Sequence, residues 1–115
     1  MSDRIYKICP QGLWRAAEAT GQFDGAPVDL ADGYIHFSTA AQLRETASRH
    51  FADQDDLLLI IVDAGALDEA LHWEASRGGA LFPHLYAALT MSAVLGVEAL
   101  AVGADGVHVF PSDIP

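Results

Sequence analysis

The order of helix-like and strand-like segments along this chain predicts an α+β fold. Two helical patterns, 11–20 and 40–51, lie in the first half of the chain, whereas the later strand-like segments follow one another without helices between them. A doubly wound α/β sheet would instead alternate strands with helices. A length of 115 residues fits one domain. We therefore predict a single α+β domain over residues 1–115.

The chain begins with a predicted strand and a predicted helix. Residues 4–9 alternate and are rich in strand-forming side chains. Pro10 follows at a position where a helix can begin, and Gly21 is a suitable C-terminal stop. Trp14 and Ala17 belong to the apolar stripe of this helix.

A predicted loop at 22–33 leads into a short strand at 34–38. The loop is rich in Gly, Pro and Asp, which favour irregular structure. Alternation along the strand directs Ile35 and Phe37 toward the core. The opposite face then carries three side chains that form hydrogen bonds: Tyr34, His36 and Ser38.

The best-marked helix follows this strand. Thr39 and Gln42 have the spacing of a capping box, which satisfies unpaired backbone N–H groups at a helix N-terminus. Leu43 and Ala47 recur at helical spacing. Residues 57–63 are apolar on both faces except at the final aspartate, which predicts a buried central strand.

The second half is predicted to consist mainly of short strands. Residues 64–71 fit one or two helical turns, and 73–76 is predicted to be extended. The segment 82–86 contains a proline, which favours an edge strand or a shaped loop over a central strand. Residues 97–102 and 107–110 flank an Asp-Gly pair and predict a hairpin.

Composition narrows the classes of function. Six Lys and Arg residues against 16 Asp and Glu give a net charge of −10, which argues against binding nucleic acid or an anionic membrane. Cys9 is the only cysteine, so the sequence offers no intramolecular disulfide. The N-terminus lacks the apolar run of a signal peptide, and the longest apolar run, 57–62, is too short to span a bilayer. We predict a cytoplasmic, acidic protein.

The chemically versatile side chains cluster in three short segments. A carboxylate beside a large aromatic, as in Trp73–Glu74, can have its charged form disfavoured by desolvation. Any one of these residues also fits a packing role. Together they predict a pocket lined by His36, Ser38, Glu74, His84 and Tyr86.

Three other kinds of site are less well supported. A Ser-His-Asp hydrolase would use Ser38, His36 and either Asp29 or Asp32, but the Gly-x-Ser-x-Gly elbow is absent. Cys9 would need a nearby base to act as a nucleophile. The tight spacings of metal sites are missing from the set of possible ligands: His36, His72, Glu74 and His84.

The order of the motifs resembles a known family. The motifs IYKI, a helical Trp, DGYIHFST with a downstream Gln, LLLIIVD, WE and FPHLY follow one another here. Over about residues 5–110 the chain resembles the bacterial "domain of unknown function 952" family. The resemblance implies an ADP-ribosyltransferase-like fold with a curved, mostly antiparallel split sheet and two N-terminal helices.

The same resemblance implies roles for individual residues toward NAD. His36 would contact the nicotinamide-side ribose, Tyr86 would stack on nicotinamide, and Glu74 would support an oxocarbenium-like transition state. Phe37 stands where the transferase motif has glycine, and Glu74 precedes Tyr86, whereas the transferases have Tyr before Glu.

These observations predict a domain that binds a nucleotide or another small molecule, with NAD as the first cofactor to test. His36 and Glu74 are the predicted catalytic residues, and Ser38, His84 and Tyr86 the predicted binding residues. Whether the protein is an enzyme is left open, with an NAD-dependent ADP-ribosyltransferase-like activity as the first hypothesis. The alternatives are a non-enzymatic domain with a buried hydrogen-bond network, and a general acid/base hydrolase built on His36 and Glu74. The sequence leaves the oligomeric state undetermined.

Overall fold

The fold is built from short antiparallel strands and three helices. A computed structural model describes residues 3–112 and 114. Single 3₁₀ segments follow β4, β5 and β7. In chain order the strands and helices are β1 (Arg4–Pro10), α1 (Gln11–Thr20), β2 (Gln22–Phe23), α2 (Pro27–Asp32), β3 (Ile35–His36), α3 (Ala40–His50), β4 (Leu57–Asp63), β5 (Leu71–Ala75), β6 (Leu81–Leu85), β7 (Leu89–Thr90), β8 (Val94–Val102) and β9 (His108–Val109).

Strand β4 lies inside the larger sheet, whose order is β1-β4-β8-β9. Its even-numbered side chains pack in a core with Trp14 of α1, and its odd-numbered side chains pack in a second core with Leu43 of α3. Because both faces of the sheet are covered by a helix, β4 needs no polar face. The predicted central strand at 57–63 is confirmed.

A smaller sheet, ordered β3-β6-β5, carries the polar segments of the sequence. All its pairs are antiparallel. The two sheets are joined where the backbones of Tyr6 and Ser38 exchange two N–H···O=C hydrogen bonds of 2.8 Å. The result is a curled antiparallel sheet system with helices, which confirms the α+β prediction.

The prediction for residues 82–86 is wrong, because β6 is the middle strand of the smaller sheet. The Pro83 carbonyl accepts a hydrogen bond from the Phe37 N–H (3.0 Å). Since a strand residue's N and O point to the same side, the missing N–H of Pro83 also faces β3. Pro83 lies one residue beyond His84, which is the last residue of β6 paired with β3. The missing N–H of Pro83 therefore removes none of the hydrogen bonds between the paired residues of β3 and β6.

The predicted loop at 22–33 is also wrong in part, since it contains α2. Pro27 occupies the first turn, and Gly33 ends the helix in a left-handed conformation (φ 88°). The Asp29 carboxylate accepts a hydrogen bond from the Ala26 N–H (2.8 Å) at the N-terminus. The residues that indicated a loop are the start and stop signals of a six-residue helix.

Several other elements follow the predictions, but β2 and β7 were not predicted and β3 covers only Ile35–His36 of the predicted strand at 34–38. Helix α1 begins after Pro10 and ends at Gly21. Helix α3 has the predicted capping box, in which Thr39 N–H donates to Gln42 Oε1 (3.0 Å) and Gln42 N–H donates to Thr39 Oγ1 (3.3 Å). Strands β8 and β9 form the predicted hairpin, and its turn contains Gly106 at φ 80°.

No helix in the described part of the chain is long and apolar enough to cross a membrane. The longest, α3, has 11 residues, whereas about 20 are needed to span the hydrocarbon core.

Candidate functional site

The smaller sheet has one apolar and one polar face. Ile35 and Phe37 are buried in the core, as the alternation predicts. On the opposite face three histidines lie side by side across the strands, because His36 is in register with His84 and His84 with His72. Residues directly opposite in an antiparallel sheet share a face. Cross-strand register thus gathers imidazoles that are far apart in the sequence.

An open cleft of about 500 Å³ borders this polar face. Its volume is within the range typical of small-molecule sites. The lining comes from β1, the helices α2 and α3, and the smaller sheet: Tyr6, Lys7, Ile8, Val28, Asp32, His36, Phe37, Ser38, Thr46, His50, Phe51, Ser76, Phe82 and His84.

A buried ion pair lies beside this cleft, which its lysine lines, while its aspartate borders a second cavity. Lys7 and Asp29 are both almost inaccessible, and Lys7 Nζ lies 3.0 Å from Asp29 Oδ2. Lys7 Nζ also donates to the His36 carbonyl oxygen (3.0 Å). The pair therefore ties α2 to β1 and β3 at one point.

Hydrogen bonds keep the Asp29 carboxylate ionised despite its burial. Burial itself acts to raise the pKa, but the His36 ring, the Lys7 charge and the backbone N–H groups of Ala26 and His36 together lower the pKa of Asp29 to about 2. Each oxygen of this carboxylate accepts at least two of these contacts. Asp29 is thus a charged residue with its hydrogen-bonding capacity filled.

Both ring nitrogens of His36 face carboxylates. Nδ1 lies 2.6 Å from Asp29 Oδ1, and Nε2 lies 3.0 Å from Asp32 Oδ2. The Nδ1 contact is a hydrogen bond, and the Nε2 contact is an ion pair only when the ring is protonated. His36 lines the cleft, but both of its ring nitrogens face carboxylates of helix α2.

His84 is oriented differently. Its Nδ1 lies 2.8 Å from Glu74 Oε1, and the same oxygen accepts a hydrogen bond from the Tyr86 hydroxyl (2.7 Å). The Tyr34 ring lies over His84 at a centroid distance of 4.2 Å. Only 6% of the His84 side chain is exposed. Its Nε2 has no hydrogen-bond partner among the side chains and backbone that the structure describes.

The expected effect of Trp73 on Glu74 is wrong. The two side chains point to opposite faces of β5, and Trp73 is 44% exposed. Hydrogen bonds from Tyr86 and His84 lower the pKa of Glu74 and outweigh the effect of burial. The hydrogen bond to Glu74, with burial and that negative charge, raises the pKa of Tyr86 to about 12. Glu74 is therefore an ionised acceptor rather than an acid.

Of the five predicted site residues, the structure brings three to the cleft: His36, Ser38 and His84. Glu74 does not line the cleft, but it is hydrogen-bonded to His84, which does. Tyr86 borders a second cavity of about 270 Å³, together with Tyr34. The five residues therefore do not all line one cavity.

The alternative sites lack the geometry they require. Ser38 Oγ pairs with Thr46 Oγ1 (2.9 Å), while the ring nitrogens of His36 face Asp29 and Asp32, so the serine is not paired with that histidine. Cys9 is buried, and burial raises the pKa of its thiol to about 11. In the described part of the chain, no three His, Cys, Asp or Glu side chains are placed to hold a metal ion.

The predicted pocket omits three residues that the structure places at or beside the site: Lys7, Asp29 and Tyr34, although Tyr34 belongs to the predicted polar face and Asp29 to the hydrolase alternative. Lys7 lies in a strand, where a cation usually faces solvent. Asp29 was one of three aspartates in a presumed loop. The helix signals around Pro27 and Gly33 would have marked Asp29 as an N-terminal helix residue.

Comparisons with known proteins identify relatives of the same size. Residues 8–97 match the family model described as "Protein of unknown function (DUF952)". The crystal structure of protein CC0527 from Caulobacter crescentus is 51% identical and has a TM-score of 0.89, with 92% of this chain and 93% of that chain covered. The solution NMR structure of CC0527 is 52% identical, with a TM-score of 0.82 and 90% of each chain covered. No curated protein matches.

Proposed function

The chain belongs to the DUF952 family, and from its geometry we propose that it binds a small molecule, such as a nucleotide or nucleoside, in the cleft of about 500 Å³. The buried ring of His84 carries this proposal. Its Nε2 lacks a protein partner in the described part of the chain, whereas Nδ1 is held by Glu74. A buried polar atom without a partner is costly. A ligand group that donates a hydrogen bond to Nε2 removes that cost.

The charges around the cleft favour an uncharged group inside it. Lys7 lines the cleft, but its charge is balanced by Asp29. Arg15, another cation near the N-terminus, is exposed and paired with Glu18. With a net charge of −10, an anion would meet an unfavourable field. The phosphate groups of a nucleotide would therefore lie outside the cleft, with its uncharged part inside.

A narrower form of this proposal takes NAD as the ligand in an ADP-ribosyltransferase-like fold. It is supported by the family resemblance and by the closeness of His36, Tyr34 and Tyr86, whose rings lie near one another. In this form His36 contacts a ribose hydroxyl, Ser38 and His84 contact the ligand, Tyr86 stacks on it, and Glu74 faces the developing positive charge.

Thermal-shift measurements test the proposal directly, because a ligand that prefers the folded state raises its stability. The panel is adenosine, nicotinamide, ADP-ribose and NAD at millimolar concentration. We expect at least one to raise the Tm of the native chain. We also expect adenosine or nicotinamide to produce most of the shift of the larger ligand that contains it.

The His84→Gln and His72→Gln variants form a matched pair. The two histidines lie opposite each other on neighbouring strands, but His84 lines the cleft and His72 lines neither cavity. The shift should be reduced in His84→Gln and unchanged in His72→Gln. Equal shifts in native protein, His84→Gln and His36→Ala would contradict binding in this cleft.

A non-enzymatic structural role is the second candidate, favoured by the buried contacts among Lys7, Asp29 and His36. These contacts join three elements and are complete without a ligand. If none of the four ligands shifts the Tm, the structural role is the better explanation.

A further inference from the structure

We propose that His84 is a general base that activates a water molecule in the cleft for the hydrolysis of an uncharged carboxylic ester. This inference rests on the proposed binding function and adds a reaction to it. It starts from one observation: a buried imidazole lines the cleft with its Nδ1 bonded to a carboxylate and its Nε2 bonded to no described protein group.

The contacts of Glu74 determine which nitrogen of His84 is the base. Tyr86 donates its hydroxyl proton to Glu74 Oε1, and the lowered pKa of Glu74 keeps that oxygen an acceptor. An ionised carboxylate has no proton to donate, so the 2.8 Å contact with His84 requires a proton on Nδ1. In the neutral form of the ring, the lone pair then lies on Nε2. Glu74 is a positioning residue that fixes the tautomer.

His36 is less suited to this role, although it lies in register with His84. Its two ring nitrogens are 2.6 and 3.0 Å from the carboxylates of Asp29 and Asp32. A base must offer a lone pair to the proton that it removes. The geometry therefore assigns the general-base role to His84 and leaves His36 as the residue that anchors α2.

The proposed reaction requires only water and this one base. A water oxygen forms a bond to the ester carbonyl carbon while its proton passes to His84 Nε2. The bond from that carbon to the alkoxy oxygen then breaks, and the leaving oxygen takes the proton back from His84. The products are a carboxylic acid and an alcohol, and His84 returns to its neutral form.

The surroundings favour an ester over two other hydrolysable groups. Glycoside hydrolysis generally uses a pair of carboxylates that flank the bond, whereas Asp32 is the one carboxylate among the described residues that line the cleft. Phosphoester hydrolysis draws on unpaired cations that neutralise phosphate oxygens, and Lys7 is bonded to Asp29. An uncharged acyl group needs neither arrangement.

Hydrolysis of p-nitrophenyl acetate, followed by absorbance of the released p-nitrophenolate, tests the reaction. We expect the native chain to turn over this ester and His84→Gln to lower kcat by about 10²-fold or more. His72→Gln should hydrolyse the ester as fast as the native chain. Glu74→Gln should lower kcat with little change in KM, since it acts through His84.

Nitrogen-15 NMR of the imidazole rings tests the tautomer without any substrate and without a variant of a buried residue. We expect His84 in the native chain to carry its proton on Nδ1 at neutral pH, and Glu74→Gln to populate the tautomer protonated on Nε2. A native His84 protonated on Nε2, or ester hydrolysis equal in native protein and folded His84→Gln, would overturn the inference. A ligand-induced thermal shift without His84-dependent hydrolysis would also overturn it while leaving the binding proposal in place.

Discussion

Asp29 shows how one buried charge can organise a small site. Its side chain is 1% exposed, and an isolated carboxylate at that depth would be strongly destabilising. The contacts from Lys7, His36 and Ala26 offset this cost and at the same time fix helix α2 beside the cleft. Asp29 therefore has a structural role, because it holds the helix whose residues Val28 and Asp32 line the cleft.

We expect Asp29 to contribute stability that depends on acid pH. Its pKa is about 2 in the folded protein against an ordinary value of 3.8, so the unfolded chain binds the proton more readily. The contribution of about 2 kcal/mol is complete above about pH 4 and is lost as the pH falls toward 2. Denaturation measured against pH, in native protein and Asp29→Asn, should show a weaker acid dependence in the variant.

Asp32→Asn is the control, because the Asp32 side chain is 46% exposed, whereas that of Asp29 is 1% exposed. Asp32→Asn should lose stability in acid as the native protein does. The same pH dependence in native protein and Asp29→Asn would show that Asp29 does not carry this effect.

The Asp29→Asn substitution should also lower the free energy of unfolding at neutral pH, by about 3–5 kcal/mol, because Lys7 stays buried without a counter-charge.

At the scale of elements, the short strand β3 separates the two environments of the smaller sheet. Its neighbour β6 is a middle strand despite Pro83, because that proline lies beyond the paired part of β3. Phe37, just after β3, is 3% exposed and belongs to an apolar core although it also borders the cleft, whereas the His36 side chain beside it is 31% exposed. Alternate side chains of this segment therefore point to opposite faces of the sheet, toward the core on one face and toward the histidines on the other.

The substitution Phe37→Ser tests this assignment of faces. Loss of a buried aromatic side chain should lower the free energy of unfolding by about 3–5 kcal/mol, measured by urea denaturation. Leu81→Ser is the comparison, since Leu81 lies at the start of β6 and is 55% exposed. That change should cost about 0.5 kcal/mol or less. A near-neutral Phe37→Ser would mean that the faces of this strand are reversed.

At the scale of the whole molecule, the cleft exists because two sheets meet. Its lining draws on β1 of the larger sheet, on β3 and β6 of the smaller one, and on α2 and α3. The two sheets are joined by the paired backbones of Tyr6 and Ser38. Both apolar cores contain side chains of β4. Loss of that strand would therefore disrupt both cores together.

We expect thermal unfolding to occur as one cooperative transition, as a single domain requires. For 115 residues the calorimetric enthalpy should be about 80 kcal/mol near 60 °C and should equal the van't Hoff enthalpy. Differential scanning calorimetry supplies both values. Two resolved transitions, or a calorimetric enthalpy well above the van't Hoff value, would show that the cores unfold independently.

The sequence by itself determined the features that depend on near neighbours in the chain. Helix α3 and its capping box, the end of α1 at Gly21, the hairpin after β8 and the two faces of β3 all follow from local spacing. The buried strand β4 follows from a run of residues that is apolar on both faces. Such signals depend on residues a few positions apart, so they can be recognised without knowledge of the fold.

Tertiary structure alone decided which distant side chains meet. Lys7 and Asp29 are 22 residues apart in the sequence, and Glu74 and His84 are 10 apart. No local pattern predicts that either pair is in contact. Register across β3, β6 and β5 also decides that His36, His84 and His72 lie side by side on one face of the smaller sheet. Pairing of this kind depends on how strands align after the chain has folded back, which spacing along the chain does not specify.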